Sequence, residues 1–133
     1  MTMPQHGDRC ADAPNALLLD GVRLFNARHY FACHEVLETA WNAERDPIRI
    51  LYKGILQVGV GCYHLLRGNY RGAVSKLASG AEYLAPFAPT CMTVDVAHLI
   101  AQAWHLHAAV VAAGPDATAS IDLNLLPIIR HVS

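Results

Sequence analysis

The sequence predicts an all-α fold, a compact multi-helical bundle of about five helices. Three observations carry the prediction. Apolar residues recur at helical spacing through most of the 133-residue chain. Capping and breaking signals at Asn15, Pro47, "RGN" and "APFAPT" cut it into segments of helical length. Hydrophobic residues make up 53% of the chain and charged residues 16%, which suits one domain with a sizeable core.

Residues 1–15 hold Pro4, Gly7 and Pro14 among polar residues and read as a flexible N-terminal lead-in, with a single helical domain over 16–133. Asn15 caps a first helix to about Ala27, striped with Leu17, Leu18, Val22 and Phe25. A second helix covers about Tyr30 to Ala43. Pro47 disfavours helix at Asp46 but suits the first turn of the next segment. The third helix, about Ile48 to Arg67, is apolar on most sides and should be the central one. Its Gly54, Gly59 and Gly61 point to close helix approach. Gly68 supplies a left-handed end. A fourth helix follows from Tyr70 to Leu84. Thr93 or Asp95 starts a fifth, through Ala113. The final "IDLNLLPIIRHVS" should lie over the bundle as a short turn or helix.

Two segments echo each other forty residues apart. Gly21, Tyr30, Cys33 and Leu37 correspond to Gly61, Tyr70, Ala73 and Leu77. The expectation is a repeat-like helix-turn-helix arrangement, although the period is longer than that of tetratricopeptide repeats.

A polar seam interrupts the apolar pattern. At 100° per residue, Tyr30, His34, Leu37 and Trp41 share a narrow face, with Glu38 at its edge and Glu35 farther round. Lys53, Gln57, Val60 and His64 align on the third helix. Antiparallel packing would bring the seams together, with a Glu38–Lys53 ion pair and a bond from His34 or His64 to Gln57. Two readings fit: a satisfied buried network that sets helix register, or a small functional pocket of titratable groups.

Other chemistry finds little support. "HEVLE" is not HExxH, so His34, Glu38 and His64 make a poor metal set, and no metal or cofactor is expected. "GVGCYH" lacks the GxGxxG pattern, and no serine sits in GxSxG. Asp95, His98, Gln102 and His105 fall near one face of the fifth helix and read as structural or interface residues. The formal charge of −1 gives no footprint for nucleic acid or anionic lipid. No apolar stretch reads as long enough to span a membrane. The start lacks a signal peptide's apolar run, so cytoplasmic residence is expected, with the scattered cysteines Cys10, Cys33, Cys62 and Cys91 reduced.

The segments "LFNARHYFACHEVLETAW" and "LYKGILQVGVGCYHLLRGNYRGA" resemble a family of small helical proteins called domain of unknown function 309. The resemblance spans about residues 24–73 and rests on Phe25, Asn26, Tyr30, Phe31, His34, Glu35, Leu37, Glu38 and Trp41, then on Lys53, Gly54, Gln57, Tyr63, His64, Gly68, Asn69, Gly72 and Ala73. It implies a compact all-helical fold and brings no enzymatic activity with it. Cys33 stands where the family pattern commonly has alanine, and Thr39 and Ala40 replace a more acidic or bulky pair.

The favoured functional expectation is a helical interaction or scaffold protein with a buried polar network. A homo-oligomer is the first partner to test; a different protein or a small molecule stays open. The alternative is a small-molecule enzyme such as a hydrolase. There Glu38 would be the general base, His34 its proton partner, and Lys53 the stabiliser of negative charge. Gln57 and His64 would position substrate, with Glu35 and Trp41 as further ligand contacts.

Overall fold

A computed structural model describes residues 9–132. Five helices of 11 to 18 residues run through them: α1 (Ala16–Asn26), α2 (Tyr30–Ala43), α3 (Arg49–Leu66), α4 (Tyr70–Leu84) and α5 (Val96–Ala113). The all-α prediction therefore holds, and several boundaries follow from local signals. The Asn15 side chain accepts from the Leu18 amide at 2.9 Å and starts α1. Asn69 does the same for α4 through the Gly72 amide. Asp95, not Thr93, caps α5 by accepting from His98 N at 3.0 Å. Gly68, at φ +74°, ends α3 in the left-handed region.

Each helix packs chiefly against the next in sequence, and α3 sits between α2 and α4. Ten of its residues, among them Leu51, Tyr52, Ile55, Val58 and Cys62, are buried, as its apolar circumference predicts. Short links make neighbours antiparallel. A Cβ on Gly61 would meet the Leu77 backbone nitrogen at 2.9 Å, and one on Gly80 would meet that of Val58 at 2.7 Å, so α3 and α4 touch backbone to backbone. Gly59 does not share this role: a Cβ there would lie 3.6 Å from the Phe25 ring, an ordinary contact.

The forty-residue echo has a structural counterpart. Gly21 faces the buried Leu37 side chain, and Gly61 faces the buried Leu77 side chain. The repeat-like expectation is thus carried by one contact made twice.

The link from α4 to α5 holds what the sequence reading missed. Two short strands, β1 (Thr90–Cys91) and β2 (Val94–Asp95), pair antiparallel around Met92 and Thr93, both at positive φ. Met92 is buried, and its sulfur accepts from the Tyr52 hydroxyl at 3.8 Å. The C-terminal segment is extended from Ile128 to His131, beyond one short 3-10 turn at Leu123–Leu125. Two side-chain amides clamp it as a neighbouring strand would. Asn26 exchanges two 2.8 Å bonds with the Ile129 backbone, and Gln102 exchanges bonds of 2.8 and 2.9 Å with that of Ile128. Gln102 and His98 on α5 are therefore structural, and Asp95 pairs with Arg130 at 2.8 Å.

One expectation needs correction, and two others are qualified by the described residues. Cys10 and Cys91 form a disulfide, so neither is a free thiol; β1 brings Cys91 to the segment before α1. The expected lead-in over 1–15 falls partly on residues 1–8, which lie outside the described residues. Residues 9–15 are tied down, by the disulfide, by the Met92 amide donating to the Cys10 carbonyl at 2.8 Å, and by Arg9 bridging Glu44 and Asp46. Finally, α5 is long and apolar enough by length and composition to cross a membrane, at 18 residues and a mean hydropathy of 1.3. Its histidines and Gln102 interrupt the apolar run, so it is apolar on average and not as an unbroken stretch. In the bundle its Leu99, Ala103, Leu106 and Val110 are buried.

Candidate functional site

The second and third helices present the predicted seam to one groove. Leu37 on α2 points into the core, which leaves His34 and Trp41 half-buried at the α2–α3 border. Lys53, Gln57, Val60 and His64 line the facing edge of α3, also half-buried. His34, Glu38, Trp41, Lys53, Leu56 and Gln57 surround a cleft of about 220 Å³. Next to it, Tyr30, Phe31, His34, Val60, Tyr63 and His64 surround another of about 180 Å³. His34 belongs to both and divides them. Glu35 is exposed, lines neither cleft and contributes only its carbonyl to the Thr39 hydroxyl at 3.0 Å.

The particular links that the closed-network reading expected, a Glu38–Lys53 ion pair and a histidine bond to Gln57, are not made among the described residues. The Lys53 ammonium instead lies 5.3 Å from the Trp41 ring centre and 4.9 Å from that of Tyr83 on α4. Two aromatic faces hold the cation. Exposed Glu38 gains little from leaving water for a surface pair. Gln57 accepts from Ser79 on α4 at 3.3 Å, not from a histidine. His64 Nδ1 meets the Asn69 side-chain amide at 3.2 Å. The half-buried polar groups thus turn to α4, and the acid and imidazole on α2 stay open to the groove.

Two contributors were missed. Arg49 stacks on Trp41, 4.1 Å from the ring centre, and donates to the Trp41 carbonyl at 3.3 Å. Its place just after Pro47, across the "ERDP" link from Trp41, was a usable sequence signal. Tyr83 gave none, because only the packing of α4 brings it to Lys53. The Trp41 indole N–H is buried without an acceptor among the described residues.

Nucleophilic chemistry is poorly served. Burial pushes the Cys33 and Cys62 thiols up to about 12, so neither supplies thiolate near neutral pH. The Tyr30 hydroxyl lies beside Cys62 with no hydrogen-bond partner of good geometry, and burial raises its pKa too. No three His, Cys, Asp or Glu side chains among the described residues gather to hold a metal ion. What the groove offers is one carboxylate, one aromatic-caged ammonium and two imidazoles on an apolar floor. No hydrogen bond between His34 and Glu38 orients either for proton transfer.

Comparison with known proteins places the same region in a wider set. The uncharacterized protein YpuF of Bacillus subtilis (strain 168) is 35% identical over 72 residues, which are 53% of this chain and 41% of that protein. The chain thus spans less than half the length of that curated relative. No solved structure gives a significant match. Residues 18–75, which run from α1 into α4 and contain the whole α2–α3 groove, match the family model for the domain of unknown function DUF309.

Proposed function

We propose that this protein is a helical interaction module that pairs with a second copy of itself through the outer face of α5. One observation carries the reading. Helix α5 has no Asp, Glu, Lys or Arg in 18 residues, yet it shows Ala97, Ala101, Trp104, Ala108 and Val111 to solvent. Trp104 is 39% exposed and Val111 45%. Their 4-3-4-3 spacing is that of a helix-pairing seam. A second copy turned end for end sets Trp104 against Trp104, Ala101 against Ala108, and Ala97 against Val111. Small side chains then flank a central aromatic on both copies, as a two-fold interface requires, and no charge opposes the pairing. Light scattering across micromolar concentrations should show a dimer, and Trp104→Glu should return it to monomer without unfolding. A monomer throughout this range for the unaltered protein removes the reading.

A second reading has its own support. Glu38 and Lys53 line one cleft without neutralising each other, as a small-molecule hydrolase would need for a base and an anion-stabilising cation. A metabolite screen followed by Glu38→Gln tests it. Full turnover in the folded variant would rule out Glu38 as the base.

A further inference from the structure

Phe31 and Leu66 are the large apolar side chains that the described residues leave most uncovered, 62% and 46% exposed. They meet in one cleft of about 440 Å³ at the start of α2, which shares Tyr30, Phe31 and Tyr63 with the smaller His34 cleft but none of the residues lining the Glu38–Lys53 cleft. That volume lies within the roughly 300–1,000 Å³ of small-molecule sites. Tyr63 forms part of the floor, its ring centre 6.4 Å from that of Phe31 and tilted by 42°. The charged and ionisable rim is basic: Arg28, His29 and Arg67, with no Asp or Glu lining the cleft.

Neither arginine is neutralised. No ion pair among the described residues involves Arg28 or Arg67. The Arg28 guanidinium donates to the Leu123 carbonyl at 3.3 Å, and Arg67 lies 5.5 Å from the Tyr63 ring centre. A guanidinium held against a ring keeps its planar donors for a carboxylate. Two uncompensated charges beside two exposed apolar side chains complement a molecule with an anionic end and a flat apolar body.

We propose that this cleft binds a free small organic acid with a planar aromatic body, its ring on Phe31 and Tyr63 and its carboxylate on Arg67 and Arg28. The site does not depend on dimerisation, nor on the Glu38–Lys53 cleft. Calorimetric titration of the full chain with 2-naphthoate, beside the neutral 2-naphthalenemethanol, tests it. The acid should bind saturably and the alcohol about tenfold more weakly, the effect of losing charge-assisted hydrogen bonds. Arg67→Gln should weaken the acid by about the same factor, and Phe31→Ser should weaken both probes. Phe31 and Arg67 are exposed, so both variants should keep the wild-type melting temperature. Arg45→Gln, an exposed arginine outside the clefts, should change nothing. Absence of saturable naphthoate binding overturns the proposal. So does equal affinity for acid and alcohol, or wild-type binding by Arg67→Gln and Phe31→Ser.

Discussion

In the α1–α2 hairpin the chain turns through Arg28 at φ +64°; in the α3–α4 hairpin, forty residues later, it turns through Gly68 at φ +74°. The next residue caps the following helix in both cases, but His29 makes no side-chain capping bond whereas Asn69 accepts from Gly72. Below the turn the hairpins converge again, with Gly21 against Leu37 and Gly61 against Leu77. One packing scheme is therefore closed by two different turns. The second turn uses the residues that local physics favours. The first places a bulky cation in the left-handed region, which costs about 1 kcal/mol, and forgoes a cap of similar worth. Those two residues border the largest cleft described along α2. The proposed ligand cleft thus lies beside the turn that gives up local stabilisation, a trade common at binding sites.

The shared packing predicts the largest effects. Leu37→Ala and Leu77→Ala, both at fully buried positions, should each cost about 3 kcal/mol in urea unfolding. A gap of more than about 1 kcal/mol between them would break the equivalence. The glycines should separate the hairpins. The methyl in Gly61→Ala meets the Leu77 backbone nitrogen as well as its side chain, so about 2 kcal/mol is expected. The atoms nearest the methyl in Gly21→Ala belong to the Leu37 side chain and not to backbone, and the substitution gains helix propensity, so a smaller loss of about 1 kcal/mol is expected. Equal losses would mean that the two hairpins approach equally closely.

The turns should respond in opposite senses. His29→Asn and Arg28→Gly should each raise stability by about 1 kcal/mol, while Asn69→Ala should lower it by about as much. A destabilising Arg28→Gly would show that the Leu123 contact outweighs the backbone cost. The smallest effect concerns a clamp that only the first hairpin carries, Arg9 on Glu44 just past α2. The Arg9 guanidinium holds the Glu44 carboxyl below its usual range. Because the folded value is depressed, the contribution is full above the unfolded pKa of about 4.3. It then disappears as pH falls through the folded value. For a surface pair it should not exceed about 1 kcal/mol. Stability of Glu44→Gln compared with wild type from pH 7 to pH 3 should differ at the upper end and converge at the lower.

The helices were legible because their signals are local: Asn15, Asn69 and Asp95 cap, Gly68 terminates, and the apolar circumference of α3 identifies the centre. The groove was legible in membership, since helical spacing alone aligns His34 with Trp41 and Lys53 with Gln57. Its bonding was not. Tyr83 and Ser79 reach Lys53 and Gln57 only through tertiary packing of α4, and no spacing within α2 or α3 reports them. The β1–β2 hairpin was hidden for a different reason. Met92 and Thr93 adopt positive φ without the Asn-Gly or Gly pattern that announces such turns, and the buried Met92 side chain holds them there. The Cys10–Cys91 bond joins residues 81 apart and depends on that hairpin's position.

That bond also gives the molecule a covalent topology. With Cys10 joined to Cys91, both hairpins lie inside one closed ring, and α5 with the C-terminal segment hangs from it as a tail. A single proteolytic nick inside the ring leaves one molecule of unchanged mass, apart from an added water, until a reductant separates the halves. A nick near Asp116 frees the last residues at once. In a reducing compartment the ring is an open chain, and the Arg9 ion pairs and the Met92–Cys10 backbone bond are left to hold the segment before α1. The same polypeptide would thus present to proteases and to thiols either as a closed loop with chain leaving it before Cys10 and after Cys91, or as an open string.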